Sequence, residues 1–94
     1  MKNRITRADD IIWRKVDNNI AVLTEDGRSL HILNETAAHI WELCNGEHEP
    51  EEIAANLCEN FDVTLEVAMK DVNDTLSKLE KLGILKSEKT GETQ

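Results

Sequence analysis

A strand that leads into a helix at an asparagine, and a long helix that ends at a glycine, constrain this chain most. In residues 33–46, Asn34 is a good N-cap because its side-chain oxygen can accept a free backbone N–H. In residues 71–85, leucines recur at helical spacing up to Leu82, and Gly83 follows where helices often end in the left-handed conformation. These segments place the start of one helix and the end of another.

Three short strands are predicted before the first helix. They span residues 11–16, 20–23 and 28–33, which are rich in apolar and β-branched residues and are separated by residues that tolerate turns. The Asp26-Gly27 pair is a strong hairpin signal between the last two. The pattern therefore predicts an antiparallel three-stranded meander.

The third predicted strand has alternating faces. Leu30 and Ile32 lie on one face, and the other face carries Ser29, His31 and Leu33. His31 fits two interpretations equally well, a solvent-facing strand residue or a contact to a docked peptide. The strand contains no proline and no lysine that would block pairing, so as an edge it would offer unpaired backbone groups to another strand.

Three helices are predicted after the strands. The first runs from Asn34 to Gly46, the second starts near Pro50, and the third follows Thr64 as N-cap and ends at Gly83. Strands followed by helices in this order predict an α+β fold, winged helix-turn-helix-like, with a three-stranded antiparallel sheet followed by three helices.

The predicted buried side of each helix is an apolar stripe, and His39 is predicted to lie on the surface. The stripes comprise Ala37, Ile40, Trp41 and Cys44 in the first helix, Ile53, Ala54, Leu57, Cys58 and Phe61 in the second, and Leu65, Ala68, Met69, Val72, Leu76, Leu79 and Leu82 in the third.

The chain is predicted to form one domain, over residues 10–85. Residues 1–9 and 86–94 are polar and are predicted to be a flexible N-terminus and a flexible tail. Residues 84–85 are predicted to pack back on the core as a short strand.

The negative charge is concentrated in the middle of the chain. The net charge is −8, and residues 29–69 contain nine acidic residues but no lysine or arginine. Such a surface repels phosphate backbones and anionic membranes, so neither nucleic acid nor a membrane is an expected partner.

No catalytic or metal-binding pattern is present in the sequence. Cys44 and Cys58 fall on apolar stripes, which is typical of small buried hydrophobic residues, and the histidines lack the spacing of a metal site. We therefore expect no enzyme activity, no cofactor and no metal. Without a secretory signal or a membrane-spanning stretch, the expected location is the cytoplasm.

The segments at 33–46 and 71–85 resemble those of the PqqD family in order and spacing. This family includes the small protein of pyrroloquinoline quinone (PQQ) biosynthesis and related peptide-recognition domains, and the resemblance covers residues 11–85. It implies a non-catalytic domain that binds the leader of a ribosomally synthesised precursor peptide and presents it to a modifying enzyme, often of the radical SAM type. It also implies that the leader adds as a strand beside the third strand, against the third helix.

The peptide-binding residues that the resemblance implies lie on that strand and helix. Arg28, Asp71 and Lys78 are expected to set the register of the peptide by charge, and Asp71 resembles an acid typical of the family. The expected apolar anchors are Leu30, Ile32, Leu33 and Val67. The full set is Arg28, Ser29, Leu30, His31, Ile32, Leu33, Val67, Lys70, Asp71, Asp74, Thr75 and Lys78.

Three features depart from the family pattern. Thr75 stands where the family often has an aromatic or larger apolar residue, and Glu49 stands where threonine commonly caps the second helix. The second strand lacks the Pro-Glu pair common in members from PQQ synthesis. A different peptide-modification pathway therefore fits as well as PQQ synthesis or better.

Two alternatives to peptide recognition remain open at this point. The helix-turn-helix order is compatible with a DNA-binding transcriptional regulator, although the third helix carries net negative charge. A structural adaptor that binds only a partner enzyme is the other. The chain is expected to be a monomer or a homodimer, because a free strand edge can also accept a second copy.

Overall fold

The computed structural model describes residues 4–9, 11–24 and 27–86. The elements in chain order are β1 (Thr6–Arg7), β2 (Ile12–Val16), β3 (Asn19–Leu23), β4 (Leu30–Leu33), α1 (Glu35–Glu42), α2 (Pro50–Asn60), α3 (Leu65–Lys81) and β5 (Leu85–Lys86). A three-stranded antiparallel sheet is followed by three helices, so the predicted α+β fold is confirmed.

The larger sheet has the order β2-β3-β4, with β3 in the centre. Between β2 and β3 the chain turns through Asp17, whose φ of 59° lies in the left-handed region that aspartate tolerates better than most residues. Gly27 takes a φ of 72° in the hairpin before β4. The third strand of this sheet, β4, begins at Leu30 and not at residue 28 as predicted, so Arg28 and Ser29 lie in the connection between β3 and β4.

The two faces of this sheet have different surroundings. The inner face packs on the helices and carries Ile20, Val22 and Leu33, which are all buried. Strand alternation puts His31 on this inner face, where it is half-buried. The outer face consists of Ile12, Arg14, Val16, Asn19, Ala21, Leu23, Leu30 and Ile32.

The helices begin at the predicted caps. The Asn34 side chain accepts the Ala37 N–H at 2.9 Å, and the Thr64 hydroxyl accepts the Val67 N–H at 3.2 Å. Each bond satisfies one of the backbone donors that a helix start leaves without a partner. Pro50 is the first residue of α2, where its missing N–H costs nothing.

The end of α3 is fixed by a glycine, as the sequence predicts. Gly83 has a φ of 77°, and its N–H donates to the Glu80 carbonyl at 3.0 Å. The Ile84 N–H donates to the Leu79 carbonyl at 3.2 Å. This pair of bonds is the Schellman motif, which turns the chain back so that Ile84 is buried in the core.

The end of α1 differs from the prediction. The helix stops at Glu42 and not at Gly46, because the Cys44 N–H donates to the Trp41 carbonyl, a bond that tightens the last turn. Gly46, with a φ of 86°, instead turns the chain beside Thr6, whose hydroxyl lies 3.0 Å from where a Cβ at position 46 would be.

The N-terminal segment pairs with the end of the chain. Strand β1 is antiparallel to β5, and the Arg7 N–H donates to the Cys44 carbonyl at 2.9 Å. The sequence predicts flexibility over residues 1–9, yet within that range Thr6 and Arg7 form a strand. Of the predicted tail, only Lys86 lies within the described residues, and it belongs to β5.

The side chain of Arg7 ties this segment to the core. Its guanidinium lies 5.0 Å from the ring centroid of Trp13 and 5.9 Å from that of Trp41, within range of cation–π attraction. Its Nη1 donates to the carbonyls of Trp41 and Glu42 at 3.0 and 3.2 Å. Arg7 therefore adds a donor to two carbonyls in the last turn of α1, of which the Trp41 carbonyl also accepts the Cys44 N–H.

The core forms two adjoining clusters. One lies between the sheet and the helices and contains Ile20, Val22, Leu33, Ala38, Trp41, Leu79 and Ile84. The other lies among the helices and contains Ile40, Cys44, Ile53, Ala54, Leu57, Ala68 and Val72. Aliphatic side chains dominate both, and the large aromatic Trp41 is packed edge-on by Trp13 at 6.0 Å.

Two residues lie elsewhere than predicted. Leu65 is 56% exposed instead of buried, because it is the first residue of α3 and helical side chains tilt towards the N-terminus, away from the packed face. His39 is half-buried instead of lying on the surface: its Nε2 is 2.7 Å from the Asn56 amide oxygen, and its ring packs edge-on against Phe61.

Both cysteines are free thiols, and Cys44 is fully buried. Its Sγ donates to the Ile40 carbonyl at 3.2 Å. Burial raises the pKa of the Cys44 thiol from its usual 9.0 to about 12, against a smaller opposing effect of the Arg7 charge. Cys44 is therefore a small core residue, as its position on an apolar stripe predicts.

Replacing Arg7 with methionine keeps a long apolar side chain but removes both hydrogen bonds and the cation–π contacts. We expect Arg7→Met to lower the free energy of unfolding in urea by about 2–4 kcal/mol. Arg14→Met is the matched control, because Arg14 is exposed, and it should change stability by less than about 0.5 kcal/mol. Equal effects would show that Arg7 does not hold the N-terminal segment.

The Cys44 thiol makes stability depend on alkaline pH. Its pKa is higher in the folded chain, so its contribution is complete below pH 9.0 and is lost as the pH rises towards about 12. Each pH unit in that range should remove about 1.4 kcal/mol from the free energy of unfolding. Cys44→Ala should lack this component of the slope in urea titrations, whereas Cys58→Ala should keep it. Parallel slopes for both variants would contradict the assignment.

Candidate functional site

Within the described residues the larger sheet has two borders, β2 and β4, and the β4 border lies beside α3. Among the described residues β4 pairs only with β3, so its other side is an edge. The Thr24 N–H donates to the Ser29 carbonyl at 3.0 Å, and this bond sets the alternation along the hairpin. His31 and Leu33 therefore direct their backbone groups to β3, whereas Leu30 and Ile32 direct theirs away from the sheet.

A groove runs between this edge and α3. Its volume is ≈ 370 Å³. The side of the groove away from α3 is formed by the end of β4 and the first turn of α1. The residues that line it are Ile32, Leu33, Asn34, Thr36, Ala37, Asp71, Thr75, Lys78 and Leu79.

The groove has an apolar base and polar walls. Leu33 and Leu79 line the base of the groove, and both are buried because they are also part of the hydrophobic core. The polar lining is Asn34, Thr36, Asp71, Thr75 and Lys78. The lining therefore combines apolar contact area with polar and charged groups that can fix the orientation of a ligand.

The charges on α3 fall into two groups. The Lys70 ammonium lies 3.2 Å from the Asp74 carboxylate, so these two neutralise each other outside the groove lining. Asp71 and Lys78 both line the groove, and neither has an ion-pair partner within residues 4–9, 11–24 and 27–86. The groove therefore offers one carboxylate and one ammonium that are available to a ligand.

Five of the predicted site residues come together in the groove, namely Ile32, Leu33, Asp71, Thr75 and Lys78. The other predicted residues lie around it and do not line it: Arg28, Ser29, Leu30, His31, Val67, Lys70 and Asp74. Four further residues line the groove without having been predicted as site residues, namely Asn34, Thr36, Ala37 and Leu79. The sequence predicted Asn34 as a helix cap and Ala37 and Leu79 as core residues, and these roles did not indicate that they also line the groove.

The predicted apolar anchors do not share one surface. Leu30 and Ile32 lie on the outer face of the sheet, 62% exposed, whereas Leu33 faces inward and is buried. Val67 is 45% exposed near the start of α3 and lies outside the groove lining. Their contact with a peptide remains a prediction.

The described residues contain no cluster suited to metal binding. No group of three or more histidine, cysteine, aspartate or glutamate side chains converges among them. Within the same residues, no helix has both the length and the apolar character needed to cross a membrane.

The fold is similar to three solved structures, two of which are complexes with a leader peptide. TbiB1, solved in complex with the TbiA(beta) leader peptide, matches with a TM-score of 0.77 and 21% identity over 95% of this chain and 99% of that one. Lasso peptide synthetase B1, solved in complex with the leader peptide, matches with a TM-score of 0.78 and 22% identity. The match covers 88% of this chain and 98% of that one. The heterocyclase TruD matches with a TM-score of 0.65 and 19% identity, and 97% of this chain aligns with 12% of that chain.

At the level of sequence, the family model described as coenzyme PQQ synthesis protein D (PqqD) matches residues 19–85. The matched region runs from β3 to β5, so it contains the β4 edge, the groove and all three helices. No curated protein sequence matches the chain significantly.

Proposed function

The chain belongs to the PqqD family, and on that basis we propose that it binds the leader segment of a ribosomally synthesised precursor peptide and presents it to a modifying enzyme. The binding is non-catalytic, and the chain needs no cofactor. A radical SAM enzyme is the proposed type of partner, in PQQ synthesis or in another peptide-modification pathway. The cytoplasm, where precursor peptides are made, is the proposed location.

The observation that carries this proposal is the free β4 edge beside a groove. Leu30 and Ile32 together present two N–H and two C=O groups at the edge, and an extended peptide satisfies such groups by adding as a strand. Each hydrogen bond contributes about 0.5–1.5 kcal/mol, so the backbone alone gives weak binding. The groove must therefore supply the remaining affinity through peptide side chains.

The two available charges give the peptide its register. Asp71 and Lys78 are seven residues apart on α3, which corresponds to a rise of about 10 Å. Alternate residues of an extended peptide that face the groove are about 7 Å apart, and the next in line about 13 Å. A peptide therefore satisfies both charges with a basic residue facing Asp71 and an acidic residue facing Lys78, with one or three residues between them.

The DNA-binding alternative has no comparable support. The charged side chains of α3 comprise four acids, Glu66, Asp71, Asp74 and Glu80, against three lysines. Helices α1 and α2 contain no lysine or arginine at all. A recognition helix needs phosphate-binding neighbours, and this surface repels phosphate.

Removing one free donor tests the proposed strand addition. In Ile32→Pro the lost N–H faces the open edge, so the β3–β4 ladder remains intact and an edge strand tolerates proline. We expect peptides selected from a random display library on the wild-type chain to lose affinity by about tenfold or more on this variant. Ile32→Ala is the matched control, since it loses the side chain but keeps the donor, and it should lose clearly less. Equal losses would contradict strand addition.

Exchanging the two groove charges tests the register. Peptides selected on the Asp71→Lys/Lys78→Asp double variant should show the basic and acidic positions interchanged relative to those selected on the wild type. Lys70→Glu is the control, because Lys70 lies outside the groove, and it should select the wild-type pattern. Sequencing of both selected pools gives the answer, and an unchanged charge order on the double variant would rule the register out.

A further inference from the structure

Exposed apolar side chains concentrate on the outer face of the larger sheet. Six large apolar residues are strongly exposed among those described, and four of them, Ile12, Val16, Leu30 and Ile32, lie on this face. Ile12 is 69% exposed. Large apolar patches on a small protein commonly mark a binding surface.

The patch is continuous across the three strands. In the strand register Ile12 lies opposite Leu23, and Leu23 lies opposite Leu30. Ala21 lies between Arg14 and Ile32 in the next row on the same face. Side chains opposite one another on adjacent strands are in contact range, so these residues form one surface.

We propose that the outer face is the docking surface for the modifying enzyme, through an apolar enzyme surface that carries a carboxylate facing Arg14. This proposal rests on the proposed function, because it assigns a place to the enzyme that receives the peptide. The groove and the outer face are then two separate binding surfaces that meet at β4.

The charge of the outer face indicates the chemistry of its partner. Among the described residues Arg14 is its one charged residue and none of its side chains is acidic, in a protein of net charge −8. Arg14 is exposed and has no ion pair within the described part of the chain. A covering surface must therefore neutralise one guanidinium within an apolar contact, which a carboxylate does best.

A second copy of the chain does not meet this requirement. The described residues of two outer faces packed together provide two arginines and no carboxylate, so within them each guanidinium is covered without a partner. The three strands span a flat footprint of only about 240 Å². Stable interfaces bury roughly 1,200 Å² or more of accessible surface, so any partner must also contact the surface around the sheet.

Residues 87–94 do not fit the patch either. They contain no large apolar side chain, so they offer no matching surface. A partner that covers the patch and its surroundings and supplies a carboxylate is the occupant that the charge favours.

The outer face is also continuous with the proposed peptide site. A peptide strand added beside β4 becomes the fourth strand of the same sheet. Every second peptide side chain then emerges on the outer face next to Leu30 and Ile32. An enzyme docked there contacts the peptide as well as the sheet, so bound peptide should strengthen docking.

A photo-crosslinking residue tests the assignment in the full-length chain. Benzoylphenylalanine in place of Val16, on the strand farthest from the groove, should crosslink in cells of the source organism to a peptide-modifying enzyme identified by mass spectrometry. The same residue in place of Leu65, equally exposed but on α3, is the control and should not crosslink to that enzyme. Crosslinking at position 16 only to a second copy, to an unrelated protein or to nothing overturns the proposal.

The enzyme so identified then tests the role of Arg14. In a binding titration with the purified enzyme, Arg14→Glu should weaken docking by about tenfold or more, because it opposes a carboxylate with another. Arg14→Gln should weaken it less and serves if Arg14→Glu does not fold. Affinity for library-selected peptides should be unchanged in both. If neither variant weakens docking, the proposal is overturned. If the wild-type chain selects no peptides from the library but still crosslinks to the enzyme at position 16, only the proposed function is contradicted.

Discussion

The unpaired backbone of β4 is the constraint on which the site depends. Leu30 and Ile32 hold N–H and C=O groups at the border of the sheet, and such groups favour any partner that completes the ladder. Helix α3 stands opposite this border and closes the far side of a groove, and in the proposed function a chain that pairs with β4 would also lie against Asp71 and Lys78. The edge gives a position, and the groove gives side-chain selectivity.

The elements around the site follow from local sequence rules, whereas the character of the groove does not. Asn34, Thr64 and Gly83 mark helix ends correctly because capping involves only neighbouring residues. The groove combines residues from three elements. Its walls are polar, because the apolar side chains of Leu33 and Leu79 are buried in the core at its base. His39 was misjudged and the contacts of Arg7 were not predicted for the same reason, since their partners are distant in sequence. Single-sequence patterns do not contain such pairings.

The arrangement separates three tasks on a small domain. Arg7 and the Trp13–Trp41 pair hold β1 and β5 against the end of α1. These two strands pair with each other and not with β4, so the β4 edge is left unpaired. The groove side of β4 faces α3, and the outer face of the same strand extends to β2. A peptide placed at β4 is therefore reachable from the side of the sheet that carries the apolar patch and Arg14. The acidic helices keep the remaining surface from phosphate-rich partners.

The most direct test of the open edge is amide hydrogen exchange followed residue by residue by NMR. In the free chain the Leu30 and Ile32 amides should exchange rapidly, while those of His31 and Leu33, bonded to β3, should be protected. A library-selected peptide should then protect Leu30 and Ile32 as well. If Leu30 and Ile32 are already protected in the free chain, the edge is occupied by the chain itself or by a second copy, and the account of peptide capture fails.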